Sequence, residues 1–171
     1  MNKVVIYIHG KGGNSKESEF YKSIFEDCDV IGLDYKSQTP WEAKEEFSKV
    51  IDEIVEKYKS AIIIANSIGA YLTMNSVINK KIEKAFFISP IVNMQKLIED
   101  MMLWANINEE ELKEKRIIET SFGEELSWEY LLYVKNNKIK WNIPTHILYG
   151  AKDNLTSFET SEVAASDIFK A

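Results

Sequence analysis

The sequence predicts an α/β fold: a mainly parallel sheet with helices on both faces and a helical insertion before the last strand. Short runs rich in Val, Ile and Phe alternate with helical patterns, which is typical of parallel strands covered on both sides. The 171 residues, 45% of them hydrophobic, are enough for one domain with a sizeable core. We therefore expect residues 1–171 to form a single domain, interrupted only by a segment at residues 91–142.

Five runs are predicted as strands. Each is rich in β-branched or aromatic residues and is followed by a loop signal. They are residues 3–9, 29–34, 60–66, 84–89 and 144–150.

Helical patterns lie between these strands, at residues 16–27, 40–59, 68–79 and, in the tail, 157–170. The second pattern has the clearest start. Thr39 can cap it, Pro40 takes its first position and Glu42 stands three residues after the cap.

Residues 91–142 break the alternation between the fourth and fifth strands. The segment is too long for a simple crossover and too short for a separate domain, and "NMQKLIEDMMLWA", "NEEELKEK" and "SWEYLLYVKNN" predict three helices in it. It could act as a lid whose apolar side chains, including Met101, Trp104 and Trp128, limit substrate size. The alternative is that these side chains only hold the insertion to the body, which is the commoner role of a Met stripe at helical spacing.

Charge and hydropathy exclude several classes of partner. The net charge is −6, from 21 basic and 27 acidic residues, and no basic block is longer than Lys80 and Lys81, so we expect no nucleic-acid partner. The N-terminal segment "MNKVVIYIHG" contains too few apolar residues for a signal peptide, and no segment of the sequence is apolar over the length that a membrane span requires. We expect a cytoplasmic protein with no membrane partner.

The Cys, His and acidic residues of the sequence show no metal-binding pattern. The single cysteine, Cys28, excludes an intrachain disulfide and a cysteine-based metal site. It lies in the acidic stretch "FEDCDV", which disfavours a thiolate, so we interpret it as structural. No acid pair or His cluster has the spacing of metal ligands. We expect neither a metal nor another cofactor.

The segment "AIIIANSIGAYLTM" joins the third strand directly to a helix at Ser67. In parallel sheets, ligands bind beyond the carboxyl ends of the strands. Two residues on either side of the serine stand Ala65 and Gly69, small as a crowded strand-to-helix turn requires. The N–H of Ile68, at the start of the helix, would face a developing oxyanion. The pattern favours a nucleophilic serine, and the alternative is that Ser67 only caps the helix.

Three segments carry a family resemblance. "ANSIG" resembles the nucleophile elbow of the α/β-hydrolase superfamily, written G-x-S-x-G, with alanine in place of the first glycine. "YIHGKGG" after the first strand is similar to that family's oxyanion loop, and "HILYGAKDN" after the fifth is similar to its acid loop. The resemblance spans roughly residues 3–153. It implies Ser67 as nucleophile, the backbone N–H groups of Lys11 and Ile68 as oxyanion hole, and Asp153 as the acid that orients a histidine.

Two of these segments have other interpretations. "HGKGG" could be a phosphate-binding loop, although it lacks the spacing of both common nucleotide-binding glycine motifs. Asp153 could be a turn former before Asn154. For His9 we favour a structural hydrogen bond within the loop over the role of a base.

Two functional classes remain. The first is a serine hydrolase that cleaves a small carboxylic ester or thioester through an acyl-Ser67 intermediate. Its partner would be a small ester-like substrate. The second is a non-catalytic binding protein of the same fold.

The resemblance also implies a base histidine on a further strand, and the sequence stops at "DIFKA". His9 should lie about 14 Å from the strand before Asp153, at roughly 4.8 Å per strand, and His146 about 13 Å below the carboxyl edge. We therefore expect the chain as written to lack its catalytic base and its turnover. It would be a truncated portion of a longer protein or, alternatively, a natural form without hydrolytic activity.

Overall fold

The computed structural model describes residues 3–77 and 81–150 and divides into two compact units. The first unit contains the described residues before Asn93 and from Lys140 onwards, and the second is Asn93–Ile139. Asp153 and the helix predicted at residues 157–170 lie outside the described residues.

The elements alternate along the chain. The strands are β1 (Lys3–Ile8), β2 (Asp29–Leu33), β3 (Ser60–Asn66), β4 (Ile82–Ile88), β5 (Ile117–Glu119), β6 (Glu125–Ser127) and β7 (Thr145–Leu148). The helices are a 3-10 helix η1 (Ser15–Tyr21), α1 (Pro40–Val55), α2 (Ile68–Ser76), α3 (Met94–Trp104), α4 (Glu109–Lys115) and α5 (Trp128–Asn136).

A five-stranded parallel sheet forms the centre of the first unit. Its order is β2-β1-β3-β4-β7, and each described pairing is parallel. The five predicted strands are confirmed, with ends that differ by one or two residues. The order places β1 beside β3, and β7 two places from β3 on the other side, which gives the three strand spacings between β1 and β7 that the family resemblance implies.

Both faces of this sheet are covered. Five successive residues of β1 are almost inaccessible, although neighbouring side chains of a strand point to opposite faces; they are Val4, Val5, Ile6, Tyr7 and Ile8, none more than 2% exposed. On one face, Val5 and Tyr7 pack in a cluster with Tyr21 and Phe25 from the segment that follows β1. This two-sided burial explains why the strands read as continuous apolar runs.

The start of α1 confirms the predicted capping box. The Thr39 hydroxyl accepts the N–H of Glu42 at 3.4 Å, and the Glu42 carboxylate accepts the N–H groups of Thr39 at 3.1 Å and Gln38 at 2.9 Å. The backbone bond from Gln38, followed by the bond with Thr39, lowers the pKa of Glu42. The helix buries a stripe of residues four apart: Ala43, Phe47, Ile51 and Val55.

The α-helix predicted at residues 16–27 is wrong. The chain forms a 3-10 helix that ends at Tyr21 and continues in turns, with i to i+3 bonds such as that from the N–H of Lys22 to the carbonyl of Glu19 at 3.3 Å. Phe20 is 76% exposed and Ile24 68%. Tyr21 and Phe25 pack on the sheet while the two exposed residues stay outside it, so the buried stripe is narrow and does not favour a longer α-helix over tighter turns.

The second unit contains the three predicted helices and a hairpin that the sequence analysis missed. The side chains of Asn93, Asn108 and Ser127 accept N–H groups at the starts of α3, α4 and α5. Between α4 and α5, β5 and β6 pair antiparallel. Strands of three residues are too short to show the period-2 alternation by which strands are recognised.

The start of α2 lies against the end of β1. A methyl group added at Gly69 would lie 2.3 Å from the carbonyl oxygen of His9 and 3.0 Å from that of Ile8. Backbone atoms cannot retreat from such a contact without moving the strand. Glycine is therefore required at this position.

We predict that Gly69→Ala destabilises the fold by about 1–3 kcal/mol, because the new methyl overpacks against backbone. Gly150→Ala is the matched control, since no atom of the described residues lies within 4 Å of a methyl there, and should change stability by no more than about 0.5 kcal/mol. Urea denaturation of the two variants measures the difference. Equal midpoints would contradict the contact.

We predict that Thr39→Ala costs about 1 kcal/mol, while Thr39→Ser keeps the cap and most of the stability. The contribution of Glu42 should depend on pH. Because its pKa is lowered in the folded state, its stabilisation is complete above the ordinary glutamate pKa of 4.5 and disappears as the pH falls through the folded pKa. Urea midpoints of wild type and Glu42→Gln should therefore differ at pH 7 and converge in acid; a constant gap would refute this.

Candidate active site

Ser67 occupies a strained turn between β3 and α2. Its φ is 51° and its ψ is −119°, a conformation that residues other than glycine rarely adopt. Its N–H donates to the carbonyl of Ile88 at 2.9 Å, and its carbonyl accepts the N–H groups of Ala70 at 3.1 Å and Ile91 at 3.4 Å. These backbone bonds hold the strained conformation in place.

The hydroxyl of Ser67 is not used to cap α2. Ser67 stands at the N-cap position, but its side chain makes no capping hydrogen bond. Thr39 and Asn93, at the same position of α1 and α3, do make one. The alternative that Ser67 is only a helix cap therefore does not account for its presence.

The two small neighbours of Ser67 are both packed. Ala65 is 0% exposed and lies in register between Ile8 of β1 and Phe87 of β4. Gly69 lies against the end of β1, as described above. Ile68 is the first residue of α2, where helical N–H groups have no partner within the helix.

A glycine turn, residues 10–13, follows β1 and lies beside Ser67. The N–H of Gly13 donates to the carbonyl of Gly10 at 3.1 Å, and Gly12 has a φ of +74°, as in a type II turn. A methyl group at Gly10 would lie 3.3 Å from the Cβ of Ser67. Lys11 is the second residue of this turn, so the structure brings its backbone close to the serine.

His9 is engaged in local contacts just before the glycine turn. Its Nδ1 lies 2.8 Å from the carbonyl oxygen of Gly10, so Nδ1 carries the proton in this arrangement. The ring stacks on Tyr35 with centroids 4.3 Å apart. These contacts support the structural role that the sequence favours for His9.

Tyr35 is a residue of this edge that the sequence analysis missed. Its hydroxyl donates to the carbonyl of His9 at 2.8 Å. Burial, and to a lesser degree the charge of Glu46, raises the pKa of Tyr35 to about 12, so the hydroxyl remains a donor at neutral pH. The only sequence signal was an aromatic residue two positions after β2.

Ser89 is a second unpredicted feature of the same edge. It follows β4, has a φ of 43°, and its N–H donates to the carbonyl of Leu148 at 2.7 Å. Strained non-glycine residues concentrate at functional sites. Ser67 and Ser89 thus stand at the carboxyl ends of two adjacent strands.

The two histidines of the sequence are far apart. β1, which precedes His9, is separated from β7 by three strand spacings, about 14 Å. His146 is the second residue of β7 and stacks on Phe86, with centroids 5.4 Å apart. Neither ring therefore stands between Ser67 and the carboxyl end of β7.

Two kinds of feature are absent from the described part of the chain. Within residues 3–77 and 81–150, no group of three or more His, Cys, Asp or Glu is placed to hold a metal ion. None of the helices in that part of the chain is both long enough and apolar enough to cross a membrane.

The chain is similar in structure to several solved proteins. Mouse alpha/beta hydrolase domain-containing protein 10 is 16% identical, with a TM-score of 0.68 over 97% of this chain and 75% of its own. A lipase-esterase related protein from Clostridium acetobutylicum is 18% identical, with a TM-score of 0.62 over 98% of this chain and 82% of its own. An epoxide hydrolase from Bacillus megaterium is 15% identical, with a TM-score of 0.59 over 99% and 83%.

No protein-family model matches the sequence, and no curated protein matches it as a relative. The likeness to the solved structures is therefore one of architecture. Together with the parallel sheet and the strand-to-helix turn at Ser67, it shows that this chain has the α/β-hydrolase fold.

Proposed function

We propose that the protein is a serine hydrolase that cleaves a small carboxylic ester or thioester through an acyl-Ser67 intermediate. One observation carries the proposal. Ser67 stands in a strained strand-to-helix turn beside the glycine turn, and its hydroxyl is not used to cap the helix. Catalytic nucleophiles of this fold class are held in such a turn.

The chemistry would proceed in two steps. The Oγ of Ser67 attacks the carbonyl carbon, the bond to the alcohol or thiol breaks, and the leaving group takes up the proton. Water then cleaves the acyl-serine. In both steps the carbonyl oxygen becomes negative, and the N–H groups of Lys11 and Ile68 would donate to it. Asp153 would orient a base.

The structural neighbours support hydrolysis as the class of reaction. They are described as a lipase-esterase related protein, an esterase and an epoxide hydrolase, so their substrates differ. The choice of an ester or thioester rests on Ser67, because a serine alkoxide is suited to acyl transfer.

The non-catalytic binding protein stays the second candidate. It is favoured by the positions of His9 and His146, neither of which can bridge the serine and the end of β7. Chemical labelling of Ser67 separates the two candidates.

We predict that a fluorophosphonate probe forms one adduct, in which the Ser67 oxygen displaces fluoride from phosphorus. Intact-mass and peptide-mapping spectrometry should find the adduct in wild type and in Ser89→Ala, a control serine at the neighbouring strand end, but not in Ser67→Ala. Heat-denatured wild type should not react. Native wild type that stays unlabelled would favour the binding protein.

We predict that Ser67→Ala lowers any hydrolysis of p-nitrophenyl esters by a factor on the order of 10³ or more, because the nucleophile is lost. The fold should persist, since the hydroxyl is at a turn and its removal opens no core cavity; circular dichroism checks this. A variant that keeps near-wild-type hydrolysis would place the chemistry elsewhere.

A further inference from the structure

The carboxylate of Glu17 lies at the end of the glycine turn and makes contacts on two sides. Oε1 accepts the N–H of Asn14, the residue directly after the turn, at 3.3 Å. Oε2 accepts the hydroxyl of Tyr7 at 2.5 Å. The carboxylate also fills the space beside Gly13, where a methyl group would lie 2.8 Å from Oε1.

Tyr7 carries this contact into the sheet. It lies on β1, is only 2% exposed, and its ring packs on Tyr21 with centroids 5.2 Å apart. Tyr7 also lies in register with Ile64 of β3, three residues before Ser67. Burial first, and then the Glu17 carboxylate, raises the pKa of Tyr7, so its hydroxyl stays a donor at neutral pH.

We infer that Glu17 is a positioning residue that fixes the glycine turn relative to Ser67, through Tyr7 and the pairing of β1 with β3. The inference rests on the proposed function, because it assigns Glu17 to the oxyanion hole of that reaction. Glu17 touches no substrate in this role. It acts through the backbone of the turn that contains Lys11.

A capping box alone does not explain these contacts. Asn14 and Glu17 form one at the start of η1, as Thr39 and Glu42 do at α1. The Glu42 carboxylate accepts the N–H groups of the nearby residues Gln38 and Thr39. Glu17 uses its second oxygen for a side chain of the sheet.

The consequence for catalysis follows from geometry. Oxyanion donors must stand within about 2.7–3.1 Å of the developing charge. A loosened turn therefore reduces the stabilisation of the transition state more than the binding of the ground state. The maximal rate should then fall while the half-saturating concentration changes little. Loss of a fold-stabilising contact alone would not separate these two quantities.

Tyr7→Phe is the sharpest test, because it keeps the ring and the capping box and removes only the hydroxyl. Amide hydrogen exchange over residues 10–14 should accelerate about tenfold, as expected when one hydrogen bond to a charged group is lost. The maximal rate at which the fluorophosphonate modifies Ser67 should fall by about the same factor. The probe concentration that gives half of this rate should be nearly unchanged. Glu17→Gln has one acceptor oxygen in place of two and should behave alike.

Two comparisons complete the test. Glu42→Gln alters the same kind of capping box at α1 and should leave both readouts at their wild-type values. The double variant Tyr7→Phe/Glu17→Gln should be little worse than either single variant, because both break one contact. Full additivity of the two effects would overturn the inference.

The outcomes separate this inference from the proposed function. If wild type does not react at Ser67, the proposed function is overturned. Amide hydrogen exchange over residues 10–14 in Tyr7→Phe then tests alone whether Glu17 positions the turn. Wild-type exchange in Tyr7→Phe overturns the inference in either case. A wild-type phosphonylation rate in Tyr7→Phe also overturns it.

Discussion

The close approach of the start of α2 to the end of β1 fixes the geometry of the candidate site. Gly69 lies so near the carbonyl of His9 that no side chain fits between them. The chain must therefore turn from β3 into α2 at a single residue, and Ser67 takes the positive φ that this turn requires. The parallel sheet resists relaxation of the strain, because Ser67 is bonded to Ile88 of the next strand.

The contact between α2 and β1 also brings the glycine turn beside Ser67. Side chains from other parts of the chain then hold this turn in place. Tyr35 donates to the carbonyl of His9 from the strand on one side. Glu17 and Tyr7 hold the far end of the turn. Both tyrosines have raised pKa values and remain neutral donors. An oxyanion hole needs this rigidity, because its donors act by being in place before charge develops.

The sequence predicted what local signals encode. The five strands, the capped start of α1 and the turn at Ser67 follow from apolar runs, from Thr39 and Glu42, and from small residues around one serine. It failed where tertiary contacts decide: the 3-10 helix in place of an α-helix, the short β5-β6 hairpin, and the hydrogen bonds of Tyr35 with His9 and of Glu17 with Tyr7. These contacts join residues at least ten positions apart, so no spacing rule reveals them. The proposed acid, Asp153, stays a prediction.

We propose Ser67 as a nucleophile facing an oxyanion hole formed by the backbone of Lys11 and Ile68. The most direct test is a crystal structure of the chain after reaction with a fluorophosphonate. We expect phosphorus bonded to the Oγ of Ser67 and the phosphoryl oxygen within about 2.7–3.1 Å of both backbone nitrogens. An adduct on another residue, or a phosphoryl oxygen turned away from both N–H groups, would contradict it.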